Sequence, residues 1–168
     1  MTDRYAVVGH PVAHSLSPQI HAAFACQTGQ DIEYIRLPAP PDAFAATVLK
    51  FRAGGARGVN VTLPFKHEAW ELAEARVGDA AHARAVNTLD FRDGRIAGHN
   101  TDGAGLVADL EKNIGFAVHA RRVLVMGAGG ATYGVMQALL KSRPARLVVA
   151  NRTLQKAQDL IVHFAGTA

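Results

Sequence analysis

Lys66 opens a helical pattern, "KHEAW", directly after an apolar strand pattern, "GVNV", and the turn Thr62-Leu63-Pro64-Phe65. Backbone N–H groups at a helix start carry partial positive charge, so a cation is disfavoured there and an anion welcomed. A lysine held against that bias suits proton transfer, which needs a titratable group in a defined place. A surface accident is the competing explanation. Pro64 near the first helical position, with Asn60 and Thr62 on the incoming strand, specifies the turn and therefore aims the lysine. Asp102, in "NTDG", supplies a carboxylate partner, although Thr101 or Asp102 is equally suited to cap the helix that follows. Asn87, in "AVNTL", is by type a turn former. Asn60, Thr62, Lys66, Asn87 and Asp102 all fall at or just past expected strand ends, where open α/β sheets form their ligand crevice.

A second group lies near the N-terminus, in "GHPVAHSLSPQIH". Ser17 before Pro18 is the expected N-cap of a helix. Ser15 is not explained by capping, and two hydroxyls near a helix start suit a carboxylate. His10 and His14, split by Pro11, cannot share a helix face, so they do not support a metal site. Cys26 is the only cysteine. It lies in an apolar helical run with no activating neighbour and is expected to be a packed core thiol.

The third group is Gly127-Ala128-Gly129-Gly130-Ala131-Thr132-Tyr133-Gly134, between a compact strand pattern and a helical one. In that context glycines permit a tight turn and let backbone approach a pyrophosphate seated on the helix N-terminus. Thr132 occupies the third fingerprint position, where Gly or Ala is usual, and Gly134 is placed to take over part of the close helix–strand packing. A glycine-rich turn without a ligand is the competing reading. The next strand ends in Asn151-Arg152-Thr153 instead of an acidic residue, which favours a 2′-phosphate and therefore NADP over NAD. Thr153 also suits the cap of the following helix.

The elements that must position these residues alternate strand and helix, which predicts an α/β fold with a mostly parallel sheet. Strands are expected at Arg4–Gly9, Ile32–Leu37, Gly58–Leu63 and Val123–Met126, with one more ending at "VVANRT". Two short strands flank the hairpin turn signal Asp93-Gly94. Helices follow Ser17, Asp42, Pro64 and Thr101, the last with Leu106, Leu110 and Ile114 at four-residue spacing as an apolar face. Two more helices follow the glycine cluster and Thr153. The expected boundary lies near Gly115 to His119, giving residues 1–116 as a substrate-binding part and 117–168 as the start of a Rossmann-type nucleotide-binding domain. Only two strands of that second sheet are expected, where a half-fold of this type has about three.

Composition is globular, with 49% hydrophobic and 19% charged residues in a 168-residue chain. No apolar run approaches a membrane span and no signal-peptide layout is present. A single cysteine predicts a reducing, cytoplasmic setting. The formal charge is +4, yet Lys and Arg are scattered among acidic residues, which argues against nucleic acid and for a small anion or a phosphate-bearing cofactor. No interface is legible; a homodimer is one arrangement open to the chain.

Taken in order, "HSLSPQIH", "GVNVTLPFK", "AVNTL", "GHNTDGAG", "GAGGATYG" and "NRTLQKA" resemble the successive motifs of shikimate dehydrogenases. The resemblance implies reversible, NADPH-dependent reduction of 3-dehydroshikimate to shikimate in aromatic amino-acid biosynthesis. It implies that Ser15 and Ser17 bind the substrate carboxylate and that Asn60, Thr62, Asn87 and Asp102 hold its hydroxyls. Lys66 would be the acid/base, hydrogen-bonded to Asp102. Gly127, Ala128, Gly129, Gly130 and Ala131 would take the pyrophosphate, and Asn151, Arg152 and Thr153 the 2′-phosphate. Ala22 and Arg84 stand where the family usually has Asn and Gly, departures expected to touch packing more than chemistry. Family members are longer, so the resemblance implies an N-terminal fragment. A quinate/shikimate dehydrogenase and a non-catalytic carboxylate- or nucleotide-binding remnant are the alternative readings.

Overall fold

The computed structural model describes residues 2–166 and divides them into two compact units. One runs to Arg76 and takes in Val86–His99; the other comprises Val77–Ala85 and the chain from Asn100 onward. Mixed α/β architecture with mostly parallel pairing is found, as expected. Among the described residues no helix is long and apolar enough to cross a membrane.

The first unit is built on a six-stranded sheet. Its strands are β1 (Asp3–Gly9), β2 (Ile32–Pro38), β3 (Gly58–Val61), β4 (Ala75–Val77), β5 (Thr88–Asp90) and β6 (Ala97–His99), in spatial order β2-β1-β3-β5-β6-β4. β1 lies between β2 and β3 and is parallel to both, with Tyr5 opposite Tyr34 on one side and Gly58 on the other. The β5–β6 hairpin pairs antiparallel to β3, with Asn60 opposite Thr88. Side chains alternate along β3 and its extension: Val59 and Val61 are buried, while Asn60 and Thr62 share the opposite face.

Helices α1 (Ser17–Thr28), α2 (Phe44–Ala53) and α3 (Lys66–Leu72) accompany these strands. Phe44 of α2 stacks on Phe65 with ring centroids 4.8 Å apart, and both are fully buried. Burying a ring of that size contributes about 1.5–3 kcal/mol. Phe65 is the N-cap of α3, so the core anchors the residue immediately before Lys66.

The second unit contains α4 (Ala80–Ala83), α5 (Asp102–Ala108), which continues as a π-helical turn at Asp109–Asn113, and a β–α–β–α run. That run is β7 (Arg122–Met126), α6 (Gly130–Lys141), β8 (Arg146–Ala150) and α7 (Leu154–Phe164). β7 and β8 pair in parallel from Arg122 opposite Arg146 to Met126 opposite Ala150. Met136, Ala157, Leu160 and Phe164 form its core with Ala128 of the glycine cluster.

Several local expectations are corrected. Leu16, not Ser17, is the N-cap of α1, and Ser17 is its first helical residue. Cys26 is exposed instead of packed. The reason is that α1 turns Ser17, His21 and Ala25, spaced by four, toward partial burial and leaves Ile20, Phe24 and Cys26 outward. Leu106 and Ile114 are likewise exposed, and Gly103 is the buried residue of α5. Close backbone approach there replaces the expected apolar stripe. Pro64 lies in the turn before α3, not inside its first turn. β4 and α4 were not expected; both are too short for a periodic signal. Arg84 ends α4 in the left-handed region at φ 44°, a conformation that favours glycine, the residue usual there in the resembled pattern.

Candidate active site

In the first unit a continuous chain of polar side chains links most of the residues singled out above. The Ser15 hydroxyl donates to the Ser17 hydroxyl at 3.1 Å and accepts the Ser17 backbone N–H at 3.2 Å. Ser15 thus satisfies a helix-start donor, the task expected of Ser17. Ser17 hydrogen-bonds the Tyr34 oxygen, and the Tyr34 hydroxyl donates to Asn60 Oδ1 at 2.7 Å. Asn60 Nδ2 donates to Thr88 Oγ1 at 3.1 Å, and Thr88 Oγ1 donates to Asn87 Oδ1 at 3.0 Å. Residues from α1, β2, β3 and β5 are therefore held in one relay.

Neighbours fix the relay in place. Arg36 on β2 donates from Nε to the Ser15 carbonyl at 2.9 Å and from Nη2 to Gln19 at 3.3 Å. His21 lies flat on Tyr34, with centroids 4.0 Å apart and planes 6° from parallel. Burial holds the His21 imidazole below its usual range, so the neutral ring is favoured. Burial also pushes the Tyr34 hydroxyl well above its usual range, only partly offset by Ser17, so Tyr34 stays a proton donor.

Thr62 depends on a glycine. A Cβ on Gly9 would come within 2.5 Å of Thr62 Cγ2, so any larger residue there displaces the threonine. The Lys66 carbonyl accepts the Val86 N–H at 2.8 Å, and the Asn87 carbonyl accepts the Val61 N–H at 2.8 Å. Backbone bonds therefore tie the start of α3 and the end of β3 to the Val86-Asn87 segment that leads into β5.

In the second unit, Thr101 is the N-cap of α5 but makes no side-chain capping bond. Asn100 acts instead: its Oδ1 accepts the Asp102 N–H at 3.0 Å while its Nδ2 donates to the Ala85 carbonyl at 2.9 Å. Asp102 therefore sits in the first turn of α5 without its carboxylate serving as the cap.

The glycine cluster is braced from both ends. Gly127 has φ +108°, a conformation that L side chains rarely adopt. Thr132 donates its hydroxyl to the Gly127 carbonyl at 2.9 Å, which gives the non-glycine third position a structural task. Asn151 accepts the Ala128 N–H at 3.1 Å and donates to the Thr153 carbonyl at 2.7 Å. Asn151 is thus a strut between the loop and the end of β8. Arg152 and Thr153 are exposed, and Thr153 is the N-cap of α7 without a side-chain capping bond. Cβ atoms built on Gly129 and Gly130 meet nothing within 4 Å. Nothing within the chain forbids side chains there, whereas a ligand lying on the loop would, so the residues present fit a dinucleotide phosphate. Gly134 does not serve helix–strand packing, as expected of it; a Cβ there would meet Asn100 and Asp102.

Tyr34, His21, Arg36, Thr88 and Asn100 escaped the sequence reading, which noted Thr132 only as a departure from the glycine fingerprint. One signal was available: Ser17, His21 and Ala25 at four-residue spacing mark the face of α1 turned toward Tyr34.

Residues 7–89 match the family described as the shikimate dehydrogenase substrate binding domain, and residues 109–168 match shikimate / quinate 5-dehydrogenase. The shikimate dehydrogenase (NADP(+)) of Nitrosospira multiformis is 56% identical over 167 residues, covering 99% of this chain and 61% of that protein. The corresponding protein of Laribacter hongkongensis is 54% identical over 165 residues, covering 98% of this chain and 60% of its own length. Among solved structures, an Ael1 enzyme from Pseudomonas putida superposes with TM-score 0.91 at 46% identity, covering 98% of this chain and 60% of that one. Shikimate 5-dehydrogenase from Thermus thermophilus, in complex with NADP(H) and shikimate, superposes with TM-score 0.90 at 38% identity, covering 98% and 61%. The chain spans about 60% of the length of these relatives. On motif order, family match and fold together, it belongs to the shikimate dehydrogenase family.

Proposed function

We propose that this protein carries out the reversible, NADPH-dependent reduction of 3-dehydroshikimate to shikimate. By role, residues 1–116 bind the substrate and residues 117–168 belong to the nucleotide-binding part. The observation that carries the reading is the relay Ser15–Ser17–Tyr34–Asn60–Thr88–Asn87, a ready-made set of hydroxyls and carboxamides in a member of this family. A polyhydroxylated carboxylate is the ligand such a set fits: hydroxyls near a helix start for the carboxylate, carboxamides for the ring hydroxyls.

When bound, NADPH supplies the hydride. Ser15 and Ser17 hold the substrate carboxylate; Asn60, Thr62, Asn87 and Asp102 hold its hydroxyls. Lys66 donates a proton to the C3 carbonyl oxygen and takes it back in the oxidative direction, with Asp102 as its acid/base partner. Gly127, Ala128, Gly129, Gly130 and Ala131 receive the pyrophosphate, and Arg152 with Thr153 the 2′-phosphate, on the platform that Asn151 braces. Quinate, with one more hydroxyl, is the rival substrate, supported by the shikimate / quinate description matched by residues 109–168.

The test is reduced-nicotinamide absorbance on mixing the protein, as its gene encodes it, with shikimate and NADP⁺, with quinate and NAD⁺ as controls. The proposal expects kcat/KM to be highest for shikimate with NADP⁺. Preference for quinate would move the assignment to the rival substrate, and no reduction of either cofactor would remove the catalytic reading.

A further inference from the structure

α5 and α6 approach each other through two glycines within the second unit. A Cβ on Gly103 would come 2.8 Å from Ala138 Cβ and 3.1 Å from the Gly134 carbonyl oxygen. A Cβ on Gly134 would come 3.0 Å from Asn100 Nδ2 and 3.1 Å from Asp102 Oδ2. Those distances are tighter than ordinary carbon contacts, so a side chain at 134 forces the carboxamide and the carboxylate to shift by a few tenths of an ångström. Gly134 needs no special backbone angle, since it lies inside the regular helix α6. Its value is the space it leaves.

Asn100 has little freedom to accommodate a shift. Its carboxamide is held at one end by the Ala85 carbonyl and at the other by the Asp102 N–H. A methyl group at 134 therefore presses on a strut already tied at both ends, and the Asp102 carboxylate takes up the displacement. The same helix α6 begins at the glycine cluster, so the element that opens the phosphate loop also bounds the space around Asp102.

We propose that Gly134 is a positioning residue: its missing side chain sets the place of the Asp102 carboxylate, directly and through Asn100. This rests on the role given to Asp102 above. Helix propensity favours Ala at this position and the close contacts oppose it, so Gly134→Ala should change Tm little while catalysis falls. Small misplacement of a reacting or orienting group is costly, and a kcat loss of about tenfold is expected.

The experiment measures kcat, NADP⁺ Kd and Tm for wild type, Gly134→Ala, Asp102→Ala and the double variant, and the Asp102 carboxyl 13C shift for wild type and Gly134→Ala, in the protein as its gene encodes it. Expected are the tenfold fall in kcat, NADP⁺ Kd within twofold of wild type, a moved Asp102 carboxyl resonance, and a double variant no slower than Asp102→Ala alone. Losses that multiply in the double variant, or a parallel loss of NADP⁺ affinity, would assign Gly134 to helix packing or cofactor binding and overturn the proposal. An unmoved Asp102 resonance would overturn it as well. Normal turnover by Asp102→Ala would instead remove the role given to Asp102, and the carboxyl resonance would still decide whether Gly134 positions it.

Discussion

The two units hold their candidate ligand sites by different means. In the first, side chains hold one another: Ser15, Ser17, Tyr34, Asn60, Thr88 and Asn87 form an unbroken relay across four elements. In the second, side chains hold backbone: Thr132 bonds the Gly127 carbonyl and Asn151 bonds the Ala128 N–H, leaving the glycines themselves bare. Under the proposed function the difference follows from the ligands. A small hydroxylated acid must be read group by group, so recognition sits in particular side-chain atoms. A pyrophosphate is received by main-chain N–H groups, so side chains are needed only to shape the loop. Single substitutions should consequently act sharply in the first unit and more gently in the second.

Asn60→Leu is the most severe way to test that contrast. It removes both the acceptor for Tyr34 and the donor to Thr88, leaving groups of the relay unpaired at about 1–3 kcal/mol each. A fall of about 10²-fold or more in kcat/KM for shikimate is expected, with NADP⁺ affinity unchanged. Steady-state kinetics with each substrate varied in turn will show whether the damage is confined to one side.

Arg152→Ala is the counterpart in the second unit. Losing one charge-assisted contact, worth about 1.5–3 kcal/mol, should raise KM for NADP⁺ by about ten- to a hundredfold. Shikimate KM and the activity with NAD⁺ should stay put. An equal loss with both cofactors would mean that Arg152 does not read the 2′-phosphate.

Tyr34→Phe is the mildest and has a pH signature. Burial raises the Tyr34 hydroxyl's folded-state value above that of the unfolded chain, so the fold favours the neutral form. That contribution is complete below the unfolded value, about 10, and is lost as pH rises toward the folded one. Urea unfolding from about pH 9 to 11 should therefore show a steeper alkaline loss for the wild type than for Tyr34→Phe. At neutral pH the variant should lose about 1 kcal/mol of stability and bind shikimate several-fold more weakly. Parallel alkaline curves would place the titration elsewhere.

Much of the fold was legible because strand and helix patterns are local. The strands β1, β2, β3, β7 and β8 fall where alternation and apolar runs put them, and Gly29 ends α1 in the left-handed conformation expected of a stop. The relay was legible only in pieces. Ser15, Ser17, Asn60 and Asn87 stood out by type and position, but Tyr34, in "IEYIRL", reads as an ordinary strand former. Its role depends on β1 pairing with both β2 and β3, a register set by long-range packing. Ser15 instead of Ser17 accepts the helix-start N–H because cap identity turns on the φ and ψ of Leu16, which composition does not encode. The outward Cys26 shows the same limit: an apolar run long enough to face every direction does not say which face the sheet will cover.

The measurement closest to the central claim is the pH-resolved kcat of Lys66→Ala with shikimate and NADP⁺, in the protein as its gene encodes it. A general acid/base role predicts a loss of about 10²–10⁴-fold at neutral pH, a shikimate KM changed far less, and removal of one limb of the pH profile. Near-normal kcat with an unchanged profile would contradict it.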